Sequence, residues 1–179
     1  SPRVFDPDFI IDEVSVKSIL EAARWAPSCF GDQPWKFIIF QKKDALQWVN
    51  ALNCLSVGNQ NWAMDTSLLI CVCANKKFKH NGNENKWSQY DTGAASENIC
   101  LQSTYLGLAA HQMGGFDSDK IRNLANIPVE FDVMSFIAVG KPLAKKLMTV
   151  EQVEAEGSAR KRLELNEIYF ENKWDNFEG

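Results

Sequence analysis

The chain has 179 residues, 45% of them hydrophobic and 23% charged, which suits one domain with a sizeable core. A net charge of −4 argues against a nucleic-acid or anionic-membrane partner. No apolar run approaches the ~18–20 residues of a membrane span, and no signal-peptide pattern is present. Five cysteines (Cys29, Cys54, Cys71, Cys73 and Cys100) form no C-x-x-C pair and have no zinc-like spacing with His80 or His111. An odd count in a chain of this size predicts reduced thiols and a cytoplasmic setting.

Apolar residues at Val16, Ile19, Leu20 and Ala23 predict a first helix, capped by Ser15 and ended by Pro27. WKFIIFQ (35–41) reads as a strand. A helix follows near 45–53, capped by Asp44, with Ala45, Trp48, Val49 and Leu52 on one face. NQNWAMDT leads into the apolar strand 67–74, where Cys71 and Cys73 share one face as core filler. The polar stretch 76–89 is an exposed excursion, and a long helix runs from about Asp91 to Leu106. GLAAHQMGGFD then precedes a short helix capped by Ser118, and 132–140 is the last good strand. From Lys141 the chain is charged and weakly patterned, yet it carries Tyr169, Phe170, Trp174 and Phe177. A tail wrapped around a partner subunit accounts for both features. Strands separated by helices imply an α/β or α+β sheet, and periodicity alone does not choose between them.

The connector APSCFGDQPWKF (26–37) is unusual, with two prolines, a glycine and a Ser-Cys pair between a helix and a strand. The chain has no Walker loop, G-x-G-x-x-G, H-E-x-x-H or G-x-S-x-G. Neither His80 nor His111 sits in a triad motif, and His111, in an apolar stretch, reads as a buried, hydrogen-bonded histidine. Arg160 and Arg162 could converge on one anion with phosphate-matching geometry. A solvated basic patch in an acidic tail reads equally well.

The ordered set S-x-R (1–3), A-P-S-x-x-x-x-Q-P-W (26–35), G-N-x-x-W (58–62), D-T-G-A-A (91–95), G-G-F-D (114–117) and R-x-R-L (160–163) resembles the FMN-dependent nitroreductase family, most of all its short members. The resemblance spans nearly the whole chain. It implies an α+β fold with a central, mostly antiparallel sheet flanked by helices. Residues 1–150 would form the flavin-binding core, and 151–179 a phosphate-contacting segment and dimer arm of the same domain. It further implies a homodimer holding two FMN molecules at its interface.

Carried over by position, Ser1 lies near the flavin phosphate and Arg3 beside the pyrimidine edge. Pro27, Ser28 and Cys29 form the loop that the other subunit lays against the flavin. Asn59 hydrogen-bonds the isoalloxazine edge, Gly114 and Gly115 face N5 and O4 through their backbone, and Arg160 and Arg162 clamp the phosphate. Gly31 stands where many members have Asn, and Cys29 where many have Ser. The implied activity is a ping-pong cycle in which NAD(P)H reduces the flavin at N5 and a small-molecule acceptor, a nitroaromatic or quinone, is reduced in turn. No side chain acts as nucleophile, which accords with the lack of a triad. Enone reduction or dehydrogenation on the same scaffold, or a non-catalytic flavin-storage protein, are the alternatives.

Overall fold

A computed structural model of the protein describes residues 1–174; Phe177 lies outside the described residues. The chain divides into two compact units, the first Ser1–Met148 and the second beginning at Thr149.

The first unit is built on four antiparallel strands in the order β1-β2-β4-β3, with β1 Trp35–Gln41, β2 Leu68–Asn75, β3 Ala109–Met113 and β4 Phe131–Gly140. β2 has a neighbour on each side and helices over both faces, so every residue from Leu68 to Ala74 is buried. Its period-two alternation divides the interior. Leu69, Cys71 and Cys73 enter a core with Phe5, Trp48, Trp62 and Phe136, while Leu68, Ile70 and Val72 enter another with Val16, Ile19 and Ile99. Cys71 and Cys73 are core filler, as their spacing predicts.

The second of these cores is roofed by α1 (Glu13–Arg24) and α4 (Ser88–Tyr105). α4 buries Thr92, Ala95, Ser96 and Ser103, small side chains that let α1 and the sheet approach closely. Ser96 and Ser103 return their hydroxyls to the Thr92 and Ile99 carbonyls, so those two donors are satisfied, while the buried Thr92 hydroxyl makes no hydrogen bond among the described residues. The other core is covered by α2 (Ala45–Leu52), α3 (Val57–Ala63) and α5 (Ser118–Leu124).

Two predicted caps move by a few residues. α1 is capped by Asp12, whose carboxylate accepts from the Ser15 amide and hydroxyl at 2.8 Å each. Asp117, not Ser118, caps α5 by accepting from the Asp119 and Lys120 amides. In both cases the cap is a carboxylate one to three residues upstream, whose negative charge is also favoured by the partial positive charge of the helix N-terminus. Asp44 caps α2 as expected.

Three elements have no counterpart in the sequence reading: α3, β3 and α6 (Val150–Gly157). In the second unit α6 opens on a full capping box, Thr149 with Gln152, a signal visible in the sequence as T-x-x-Q. Further along, the Phe170 and Trp174 rings lie 4.5 Å apart.

Candidate functional site

β3 is one edge of the sheet, and the chain leaving it carries Gly114 and Gly115. That exit is stitched to the α2–α3 connection. The Ser56 amide donates to the Gly115 carbonyl at 2.9 Å, and the Asp117 amide to the Cys54 carbonyl at 2.7 Å. A Leu55–Phe116 bridge lies between them. Asn59, in the first turn of α3, adds its own amide: Nδ2 donates to the same Gly115 carbonyl at 3.0 Å. The approach is close enough to require glycine. A Cβ on Gly115 would stand 2.8 Å from Ser56 Oγ and 2.9 Å from Asn59 Nδ2, whereas one on Gly114 would meet nothing within 4 Å. The result is a fixed strip of backbone with no side chain projecting from either glycine.

The N-terminal segment reaches the same edge. His111, in β3, has Nδ1 2.9 Å from the Pro2 carbonyl oxygen. A carbonyl only accepts, so this nitrogen carries the proton. The His111 ring lies 4.5 Å from the Trp62 ring, and Trp62 stacks on buried Phe5 at 6.1 Å. Phe5 is in turn held by its bridge to Pro142. Ser1 and Arg3 therefore flank β3, both exposed, beside the strand that ends in the two glycines. His111 is half-buried and hydrogen-bonded, close to its predicted state.

Pro27, Ser28 and Cys29 are elsewhere. They precede β1, the opposite edge of the sheet, three strand spacings or ~14 Å from β3. The loop is rigid. Cys29 donates its amide to Asp91 Oδ2 at 3.0 Å, and Asp91 is buried in the first turn of α4. Ser28 Oγ accepts from the Gln33 amide at 3.0 Å. Lys79, from the excursion after β2, donates its amide to Asp32 Oδ1 at 2.9 Å. Its ammonium reaches the Asp32 and Gln33 carbonyls at 2.5 and 3.1 Å. These contacts hold Phe30 and Gln33 at φ 55° and 48°, at a cost of roughly 1–2 kcal/mol each.

One protomer thus gathers Ser1, Arg3, Asn59, Gly114 and Gly115 at one edge and presents Pro27–Cys29 at the other. Arg160 and Arg162 lie in the second unit, exposed, in a stretch of irregular backbone after α6. Arg162 Nη1 donates to the Lys161 carbonyl at 2.8 Å. Asp91, Ser56 and His111 position the neighbouring candidates, and sequence reasoning did not assign them that work. Asp91 had a visible signal, a lone carboxylate opening a helix of small residues. Of the thiols near the sheet, Cys100 is held as thiol, pushed up to about 11 by burial and by Glu97.

The sequence model of the nitroreductase family matches residues 1–141. An Archaeoglobus fulgidus relative, whose name places it among NADH dehydrogenases and NAD(P)H nitroreductases, is 31% identical over 82% of each chain. An oxygen-insensitive NADPH nitroreductase of Helicobacter pylori is 23% identical over 81% of this chain and 84% of its own. A crystal structure of an oxidoreductase containing FMN superposes with a TM-score of 0.88 at 33% identity, covering 98% of this chain and 88% of the other. An FMN-dependent nitroreductase from Clostridium difficile R20291 shares the fold, with a TM-score of 0.67 at 23% identity over 91% and 95% of the two chains.

Proposed function

The chain belongs to the nitroreductase family, and we propose that it is an FMN-dependent oxidoreductase taking electrons from NAD(P)H and passing them to flat, electron-poor acceptors such as quinones or nitroaromatics. The FMN-containing neighbour and the nitroreductase relatives support the cofactor and the electron donor. The observation that carries the rest is the division of the candidate residues between opposite edges of one sheet. Two copies, each laying its Pro27–Cys29 loop against the other's β3 edge, complete two equivalent sites. Exposed apolar residues on the packed helices α1 and α4 support such a pairing: Val14, Leu101 and Tyr105 are 78%, 60% and 84% exposed.

When bound, FMN would supply the hydride-accepting and hydride-donating chemistry of a ping-pong cycle between reduced nicotinamide and the acceptor. The protein's own residues bind and orient. Gly114 and Gly115 present backbone alone, leaving room for a flat ring to stack. Asn59, held by its bond to the Gly115 carbonyl, offers its amide oxygen to the ring edge. Arg3 supplies positive charge where negative charge gathers on reduction, and Ser1, Arg160 and Arg162 bind the phosphate. The partner's Pro27–Cys29 loop, braced by Asp91, closes one side against water.

Visible absorption of the purified protein, followed by NADH and NADPH oxidation with menadione as acceptor, tests the reading. A yellow protein that either nucleotide bleaches and menadione restores supports it. A colourless protein that takes up no FMN refutes it, and a yellow one that neither nucleotide bleaches is a storage protein.

A further inference from the structure

The excursion between β2 and α4 has no part in the site as described, yet it is built against the loop that bears Ser28 and Cys29. It folds back on itself through a Lys77–Glu84 bridge, a Phe78 amide to Asn83 carbonyl bond of 2.9 Å and a Gly82 amide to Phe78 carbonyl bond of 2.9 Å. From this hairpin-like turn, Lys79 makes the three bonds to Asp32 and Gln33 described above. On either side of Lys79, Phe78 and His80 aim their rings at Phe30. The Phe30 centroid is 5.7 Å from that of Phe78 and 5.4 Å from that of His80, at interplanar angles of 74° and 64°. Phe78 and His80 also contact each other at 5.2 Å.

Phe30 is 82% exposed while standing in a left-handed conformation that bulky side chains rarely adopt. Strain of this kind persists only where the surroundings impose it, and it concentrates at ligand clamps. Here the surroundings are two edge-packed rings and a lysine that ties down Asp32 and Gln33. Most of the Phe30 ring stays open, beside a groove of about 400 Å³ lined by Gly31, Gln33 and His80. An aromatic side chain held rigid and presented to solvent loses little conformational freedom when a flat ring stacks on it.

We propose that segment 76–84 is a buttress that fixes Phe30 as a stacking platform for the aromatic acceptor, and that Phe30 sets the preference for ring-bearing acceptors over others. This rests on the reading above, because Phe30 directly follows Cys29 and so travels with the loop to the partner's cofactor. Phe30 would contact substrate. Lys79 is a positioning residue that acts through the loop.

The test compares Phe30→Ala, Phe30→Tyr and Lys79→Met with the parent holoenzyme. KM is measured for menadione and for ferricyanide, which has no ring to stack. Binding of menadione to the oxidised protein is read from perturbation of the flavin band. Phe30→Ala is expected to raise the menadione KM and Kd about tenfold and leave the ferricyanide KM within twofold of the parent, with FMN content and dimer mass unchanged. Phe30→Tyr restores both menadione values, and Lys79→Met raises them about threefold. Equal changes for the two acceptors, or no change for either, overturn the platform while leaving the flavin reading intact. Dissociation of Phe30→Ala into monomers also overturns it, since Phe30 would then be an interface residue. A parent protein without flavin turnover fails at the earlier step and takes the platform with it.

Discussion

Gly114 and Gly115 are adjacent, yet replacing each with alanine has opposite consequences for stability. At Gly115 the new methyl falls 2.8 Å from Ser56 Oγ and 2.9 Å from Asn59 Nδ2. Ser56 can rotate away cheaply. Asn59 cannot, because its Nδ2 is bonded to the Gly115 carbonyl and moving it breaks that bond. The lost bond costs ~1 kcal/mol and the overpacking ~1–3 kcal/mol. Alanine recovers ~0.4–1 kcal/mol by narrowing the unfolded ensemble. The net loss is ~1–3 kcal/mol, or ~3–9 °C at about 3 °C per kcal/mol for a chain of this size. At Gly114 nothing opposes the methyl, so only the gain remains and the melting temperature rises by ~1–3 °C. Thermal melts of the flavin-free proteins, followed by far-UV circular dichroism, give the comparison without ligand linkage. FMN titration then reverses the order of merit for Gly114→Ala, whose methyl intrudes on the stacking strip. If both variants melt alike, or if Gly115→Ala is the more stable, the close approach of α3 to the β3 exit is not what requires glycine there.

Arg162→Ala weakens FMN binding by ~10- to 100-fold and leaves riboflavin binding unchanged, as titrations of both flavins into apo-protein will show; equal losses refute a phosphate contact. Cys29→Ser keeps most NAD(P)H-dependent turnover, because the loop is held by the Cys29 backbone amide and not by its sulfur; complete loss with flavin bound would indicate thiol chemistry. His111→Ala frees the Pro2 carbonyl and lowers FMN affinity several-fold, while His111→Asn, with an amide N–H in place of Nδ1–H, restores much of it in the same titration. Iodoacetamide labels Cys100 slowly at pH 8, and its rate climbs until the pH passes about 11, since only the thiolate reacts; peptide mass mapping at several pH values checks this.

The elements that announce themselves in the sequence are those whose burial follows one period. β1, β2 and β4 carry apolar runs, and α1 and α2 carry clean 3–4 spacing, so their extents agree with the structure to within a few residues. The elements that escape are held by partners distant in sequence. α3 contains Gly58 and three polar residues and makes no side-chain cap at Ser56; it is fixed by the Gly115 carbonyl and by Gln60 reaching back to the Leu55 carbonyl. β3 is an edge strand of five residues in which only Met113 is fully buried, so neither alternation nor apolarity marks it. The candidate site follows the same rule. Gly115 stood out as part of a motif, but its reason for being glycine lies in Ser56 and Asn59, more than fifty positions upstream. The separation of the Pro27–Cys29 loop from the glycines could not be read from any window of sequence, because strand order decides it.

The segment carrying Ser1 and Arg3 is secured by residues that come much later in the chain. The Asp6 amide donates to the Lys141 carbonyl at 2.8 Å, the Leu143 amide to the Val4 carbonyl at 3.2 Å, and Phe5 bridges Pro142. During synthesis this segment is made well before its partners, which do not exist until β4 has been completed. Joining the two ends closes a loop around the entire core, at an entropic cost on the order of 4 kcal/mol that only the assembled sheet can offset. A nascent chain stalled before residue 143 therefore carries Ser1 and Arg3 on a thread that still lacks most of its anchoring partners.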